Sequence, residues 1–215
     1  MTKKILIADD HIIVRLGVST AIKEAYKAVE ITQAETYDEI FNQLKATKFN
    51  LLLLDINMPG GNNIKVIKEI LQMQPDLKIL VFSSYDESLY ALRYIEAGAA
   101  GYVDKTSSMD EFIEAVQMIF ERGRYMSDTV QDLYVRKLTT SKSKVDSLNP
   151  LYKLSNREMD VARHLIEGLG IMEVSERLAL SSSTVSTYKS RIFDKLGITN
   201  IPDLITLFKM HAEKE

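Results

Sequence analysis

The sequence predicts two folds in one chain: a doubly wound α/β domain on a five-stranded parallel sheet, then a small all-α domain of four helices. Three observations predict them. Short, wholly apolar runs mark the front half, at residues 5–8, 51–54, 81–82 and 102–103. Strands buried on both faces of a parallel sheet read in this way, without the alternation of a half-exposed strand. Each run gives way at once, or after one residue, to polar or charged side chains: Asp9 and Asp10, Asp55, Ser83 and Lys105. From Leu154 onward the chain carries helical periodicity and capping signals alone.

Taken in order, strands fall near 4–8, 30–34, 51–54, 78–82 and 100–103, and helices near 12–28, 37–47, 62–73, 87–97 and 108–121. Phe112, Ile113, Ala115, Val116 and Ile119 trace one face of the last of these helices. Repeated βα units imply helices on both faces and right-handed crossovers. Pro59, Gly60, Gly61 and Gly98 interrupt the pattern where loops belong. The α/β domain is expected over 1–121.

Residues 122–150 read as a linker. A short helix over 128–138 would use Val130, Leu133, Tyr134 and Leu138 as its apolar side. The polar run 139–144 and the Asn149–Pro150 stop suit a flexible segment over about 138–150. The all-α domain then spans 151–215. Ser155 with Glu158 forms a capping box ahead of Val161, Ala162, Leu165 and Ile166. Gly168 and Gly170 end that helix, and a short one follows from Ile171 through Val174 and Leu178. Ser181 to Thr184 cap a third helix that runs to Leu196 and closes at Gly197. Pro202 sits in the first turn of a fourth, with Leu204, Ile205, Leu207 and Phe208 inward.

Composition removes several classes. The chain has 215 residues, 46% hydrophobic and 27% charged, with a net charge of −3. No apolar stretch approaches the roughly 20 residues of a membrane span, and the N-terminus lacks a signal-peptide core. Absence of cysteine excludes disulfides and thiolate metal sites. A cytoplasmic protein is expected. Residues 1–120 hold 12 Lys+Arg against 17 Asp+Glu, whereas 151–215 hold nine of each. A nucleic-acid role must therefore rest on pattern and not on bulk charge.

A single Asp after a strand is most often a turn former or helix cap. Here an acidic pair, a third Asp, a hydroxyl and a lysine stand at successive strand ends, where doubly wound sheets bind their ligands. Converging carboxylates need a cation among them, and oxygen ligands without thiolates favour Mg²⁺.

With these residues, Ala8-Asp9-Asp10, Asp55-Ile56-Asn57-Met58-Pro59, Ser83 and Tyr102-Val103-Asp104-Lys105, the front half resembles the flavodoxin-like receiver domain of two-component response regulators. The resemblance implies that Asp55 is the phosphoacceptor. Asp10, Asp55 and the backbone carbonyl of Asn57 would hold Mg²⁺, with Asp9 assisting through water. Ser83 and Lys105 would hold phosphoryl oxygens, and Tyr102 would be the aromatic switch. Asn63 stands where the family usually has glycine, and Asn tolerates a left-handed turn. His11 is expected at the mouth of the pocket without chemistry of its own.

The rear half resembles the LuxR-type helix-turn-helix domain. The resemblance rests on Leu154-Ser155-Asn156-Arg157-Glu158, Gly168, Glu173-Val174, Leu178 and the run from Ser182 to Gly197. Receiver plus this module is the arrangement of the NarL/FixJ class. It implies a transcription factor, not an enzyme, phosphorylated on Asp55 by a sensor histidine kinase and binding double-stranded DNA as a homodimer. Helix 182–196 would enter the major groove, with Thr184, Val185, Ser186, Lys189 and Tyr188 facing DNA and Ile192, Phe193 and Leu196 in the core. Lys189 and Arg191 would neutralise phosphates, and Val185 would meet a thymine methyl. Ser186 and Tyr188 stand where relatives often carry Lys and His, which lowers the electrostatic part of affinity. A phosphohydrolase of the haloacid-dehalogenase type is the alternative, but it needs an acid where Asn57 stands. A phosphate-independent scaffold leaves the acidic set without a role.

Overall fold

A computed structural model describes residues 2–58, 64–139 and 149–212. The chain divides into two compact units, Met1–Gln131 and Asp132–Glu215. The division falls inside a helix of the segment expected to be a linker.

The first unit is a five-stranded sheet in the order β2-β1-β3-β4-β5, all pairs parallel. Its strands are β1 (Lys3–Ala8), β2 (Val29–Ala34), β3 (Leu51–Leu54), β4 (Lys78–Ser83) and β5 (Gly101–Asp104). Between and after them run α1 (Ile12–Ala25), α2 (Tyr37–Ala46), α3 (Lys65–Met73), α4 (Glu87–Ala97) and α5 (Met109–Arg122). All four β3 leucines are buried, as a central strand covered on both faces requires. Ile5, Ile7, Leu51, Leu53, Leu80 and Val103 pack with Val18 and Ile22 of α1 and Phe112, Val116 and Ile119 of α5.

Helix ends follow local chemistry. Thr36, Asp86 and Ser108 each accept a backbone N–H one turn ahead, which satisfies donors that a helix N-terminus leaves open. Gly98 ends α4 at φ +116, and a Cβ there would lie 2.6 Å from Leu71 Cδ1. Tyr26 is already extended, so α1 stops short of the expected residue 28. The Asn63 turn lies outside the described residues, as does most of the segment expected to be flexible.

Helix α6 (Asp128–Thr139) forms as expected. Its expected apolar side differs: Val130 is wholly buried, but Tyr134 is 39% and Leu138 70% exposed. Ser127 starts the helix, its Oγ accepting from Val130 N–H at 3.2 Å.

The second unit continues with a 3₁₀ turn (Pro150–Lys153), α7 (Asn156–Ile166), α8 (Ile171–Arg177), α9 (Ser182–Leu196) and α10 (Ile201–Ala212). The capping box forms in full: Ser155 Oγ accepts from Glu158 N–H, and Glu158 Oε2 accepts from Ser155 N–H at 2.7 Å. Gly197 ends α9 in the left-handed region at φ +68. Leu154, Met159, Val161, Ala162, Val174, Val185, Ile192 and Leu204 are among the buried apolar residues. No helix among the described residues is long and apolar enough to cross a membrane.

Candidate functional site

Sheet register brings the strand-end residues together. Ala8 pairs with Leu54 and Leu54 with Val81, so Asp9, Asp55 and Ser83 leave the sheet at one edge. Asp55 N–H donates to the Ala8 carbonyl at 2.8 Å, and Lys105 N–H to the Ser83 carbonyl at 2.9 Å. Asp9 and Asp55 are each 2% exposed, while Asp10 lies at the open side.

Lys105 Nζ lies between the two buried carboxylates, 2.6 Å from Asp9 Oδ2 and 2.7 Å from Asp55 Oδ2. Asn57 N–H donates to the other Asp55 oxygen, Oδ1, at 2.8 Å. Burial pushes the Asp55 carboxyl up, against the pull of Lys105 and Asn57, while Asp9 adds to the rise. Burial alone would lower Lys105; Asp55 and Asp9 more than offset it and hold the ammonium charged. Two buried carboxylates are thus held in place by one fixed cation.

Asp9, Asp10, Asp55 and His11 place potential ligand atoms within 4.8 Å of one another. The three carboxylates supply hard oxygen donors, the set that suits Mg²⁺. His11 sits at the mouth as expected, its Nδ1 2.9 Å from Asp10 Oδ1, and its N–H donates to Asp9 Oδ1 at 2.8 Å. Behind the pocket, the buried Arg15 guanidinium donates to the Asp9 carbonyl at 2.7 Å and pairs with Glu35.

Sequence reasoning overlooked Tyr85, which ties the pocket's far wall. Its N–H donates to Ser83 Oγ at 3.3 Å, and its carbonyl accepts from the Tyr102 hydroxyl at 2.6 Å. The Tyr85 hydroxyl donates to Asn57 Oδ1. Ser83, Tyr85 and Tyr102 are all at most 1% exposed. Tyr102 therefore holds the β4–α4 loop by its backbone, with its ring near Tyr94. Two residues past Tyr85, Glu87 Oε2 accepts from Ser127 Oγ at 2.8 Å, so the start of α4 holds the start of α6. A large aromatic two positions after the strand-end hydroxyl was the available signal.

The α9 residues separate by helical phase. Val185 and Ile192 are wholly buried, so Val185 belongs to the core and does not face DNA. That corrects the sequence expectation: seven residues are nearly two turns, which puts Val185 on the inward line of Ile192. Tyr188, Lys189, Phe193 and Leu196 are half-buried along the same line, and Lys189 Nζ lies 5.5 Å from the Phe193 ring centre. Thr184 is half-buried at the first turn. Ser183, Ser186, Thr187, Ser190, Arg191 and Asp194 are exposed. Thr187 and Ser190 were missed; measuring phase from the apolar positions would have found them.

Comparison with known proteins finds a separate match for each half of the chain. Residues 5–117 match the response regulator receiver domain, and residues 152–208 match the bacterial regulatory proteins of the luxR family. The Fimbriae Z protein of Escherichia coli strain K12 is 33% identical, with 96% of each chain covered. Response regulator GacA of Pseudomonas aeruginosa is 31% identical over 97% of this chain and 96% of that protein. Among solved structures, the RcsB response regulator of Salmonella typhimurium, described for its conformational dynamism in DNA interaction, matches at a TM-score of 0.78 and 25% identity, covering 99% of this chain and all of that one. Salmonella enterica serovar Typhimurium RcsB bound to promoter rprA with phosphomimetic BeF3⁻ matches at 0.72 and 24%, covering 96% and 98%.

Proposed function

The chain belongs to the response regulators that join a receiver domain to a LuxR-type DNA-binding domain, a family of transcription regulators, and from that membership we propose that Asp55 is its phosphoacceptor. The donor is the phosphohistidine of a sensor kinase. An Asp55 oxygen attacks phosphorus, the P–N bond breaks, and the imidazole leaves with its electron pair and takes up a proton. The observation that carries this reading is the Lys105 ammonium within 2.7 Å of Asp55 Oδ2. It is placed to offset charge on the phosphoryl oxygens as they pass through the transition state.

Asp10, Asp55 and the Asn57 carbonyl would hold Mg²⁺, with Asp9 through water; the ion supplies charge neutralisation at the phosphoryl group. Ser83 is the hydroxyl that can turn to the new phosphate, and doing so gives up its bond from Tyr85 N–H. The β4–α4 loop, Tyr102 and the start of α4 then resettle together. Glu87 passes that change to α6 through Ser127.

At the other end, α9 enters the major groove of double-stranded DNA with its exposed face, Ser183, Ser186, Thr187, Ser190 and Arg191. Arg191 and Lys189 meet phosphates, and Thr184 and Tyr188 flank the face. Phosphorylation favours a homodimer on paired half-sites. Ile13 and Leu16 of α1 share a groove with Met109 of α5, and all three are exposed, which supports that face as the contact. The protein acts in the cytoplasm, where its DNA lies.

The test is incubation with Mg²⁺ and a small acyl phosphate, read by phosphate-affinity gel. One stable phosphate per chain, lost in Asp55→Asn, is the expected result. Continuous turnover, or incorporation that survives the substitution, overturns the reading.

A further inference from the structure

The exposed face of α9 differs in chemistry from a basic groove-binding surface. Apart from Arg191, Asp194 and Lys195, whose ammonium is turned to Glu158, its exposed side chains are hydroxyls: Ser183, Ser186, Thr187 and Ser190. A hydroxyl has one proton to give and two lone pairs. Ser186 Oγ donates its proton to the Ser182 carbonyl at 2.9 Å, and Thr187 Oγ1 donates to the Ser183 carbonyl at the same distance. Each uses the carbonyl one turn back, which keeps a free lone pair beside its helical bond. What these two side chains still present to solvent is acceptor capacity. A hydroxyl that already donates is also polarised toward accepting.

We propose that Ser186 and Thr187 read DNA as hydrogen-bond acceptors, so that the base pair each meets must turn an exocyclic amino group, adenine N6 or cytosine N4, toward α9. The proposal rests on the reading that α9 enters the major groove. Every base pair displays one such amino donor there, on adenine or on cytosine, and the opposite base displays a keto oxygen. An acceptor-only side chain therefore accepts A·T and C·G in one orientation and rejects both when inverted. Inversion puts thymine O4 or guanine O6 against a lone pair. Ser190 has no side-chain hydrogen bond among the described residues, can give or accept, and carries no such restriction.

The experiment uses the full chain charged with beryllofluoride. Sites are first selected from random duplexes by the wild type, Thr187→Val, Thr187→Ser and Thr187→Arg. Affinities are then measured on the wild-type site with purine in place of adenine, or pyrimidin-2-one in place of cytosine, so that only the amino group is lost. The expected result is a position that takes A or C and excludes G and T on one strand. Removing its amino group weakens wild type and Thr187→Ser roughly three- to tenfold and leaves Thr187→Val unchanged. A Thr187→Val-sensitive position that prefers guanine or thymine overturns the acceptor assignment while leaving α9 in the groove. Identical selected sequences for wild type and Thr187→Arg remove α9 from the groove and overturn both readings.

Discussion

The carboxylates of the two units are held in opposite ways. In the first unit, burial pushes Asp55, Asp86 and Glu87 up, and their partners recover only part of the cost. In the second, Glu158 and Glu167 sit low despite burial. Glu158 accepts from Lys195 Nζ at 2.6 Å and from the Ser155 backbone, and Glu167 from His164 and Arg163. Charges in the first unit are kept at a cost that chemistry can draw on; those in the second serve as struts. The contrast lies between carboxylates buried at a cost, Asp55 among them, and carboxylates whose burial is fully compensated.

The strongest way to break this contrast is to remove the cation of the first unit. Lys105→Met should slow phosphoryl uptake from a small acyl phosphate about a hundredfold, the scale of losing one preorganised charge-stabilising donor. Uptake rates from quenched time courses give the answer, and a rate near wild type would make Lys105 a strut as well. Next in size is Val185→Ala. As a core residue it should cost about 2 kcal/mol of unfolding free energy in denaturant melts. Unchanged stability with weakened DNA binding would return Val185 to the groove.

Ser127→Ala comes third. Losing its bond to Glu87 and its cap on Val130 N–H should cost about 1–2 kcal/mol and reduce the gain in DNA affinity on phosphorylation, with Asp55 labelling unchanged. Equal gains in mutant and wild type would cut α6 out of the route. The smallest effect is in acid. Glu158 and Glu167 have lowered folded values, so their stabilisation is complete above the ordinary range near pH 4 and is lost as pH falls through those lowered values. Asp55, Asp86 and Glu87 have raised folded values. Below the ordinary range their destabilising charge is gone, and their cost appears as pH rises through the raised values. Calorimetry across this window should show the two units shifting in opposite senses; parallel shifts would dissolve the contrast.

The first unit was the more legible in sequence. Its strands are unbroken apolar runs that end in charge, so Asp9, Asp55, Ser83 and Lys105 could be placed by reading where each run stops. Parallel register did the rest. Tyr85 was legible only as a large aromatic two positions after Ser83; its ties through a backbone N–H and a carbonyl, which any residue would own, were not. In the second unit the helices, the Ser155–Glu158 box and the Gly197 stop were readable from local chemistry. The face of α9 was not: Val185 lies beside polar residues, and only its alignment with Ile192 shows that it points inward. Helical phase fixes function there, and an error of one position exchanges core for surface.

Ser83 and Glu87 lie on one continuous stretch of five residues, and the second grips Ser127 at the root of α6. If phosphorylation draws the Ser83 hydroxyl as proposed, it would tug a cord too short to go slack. Little slack means little loss between stimulus and response. It also means that lengthening this stretch by even one residue would leave a protein that takes its message and fails to pass it on.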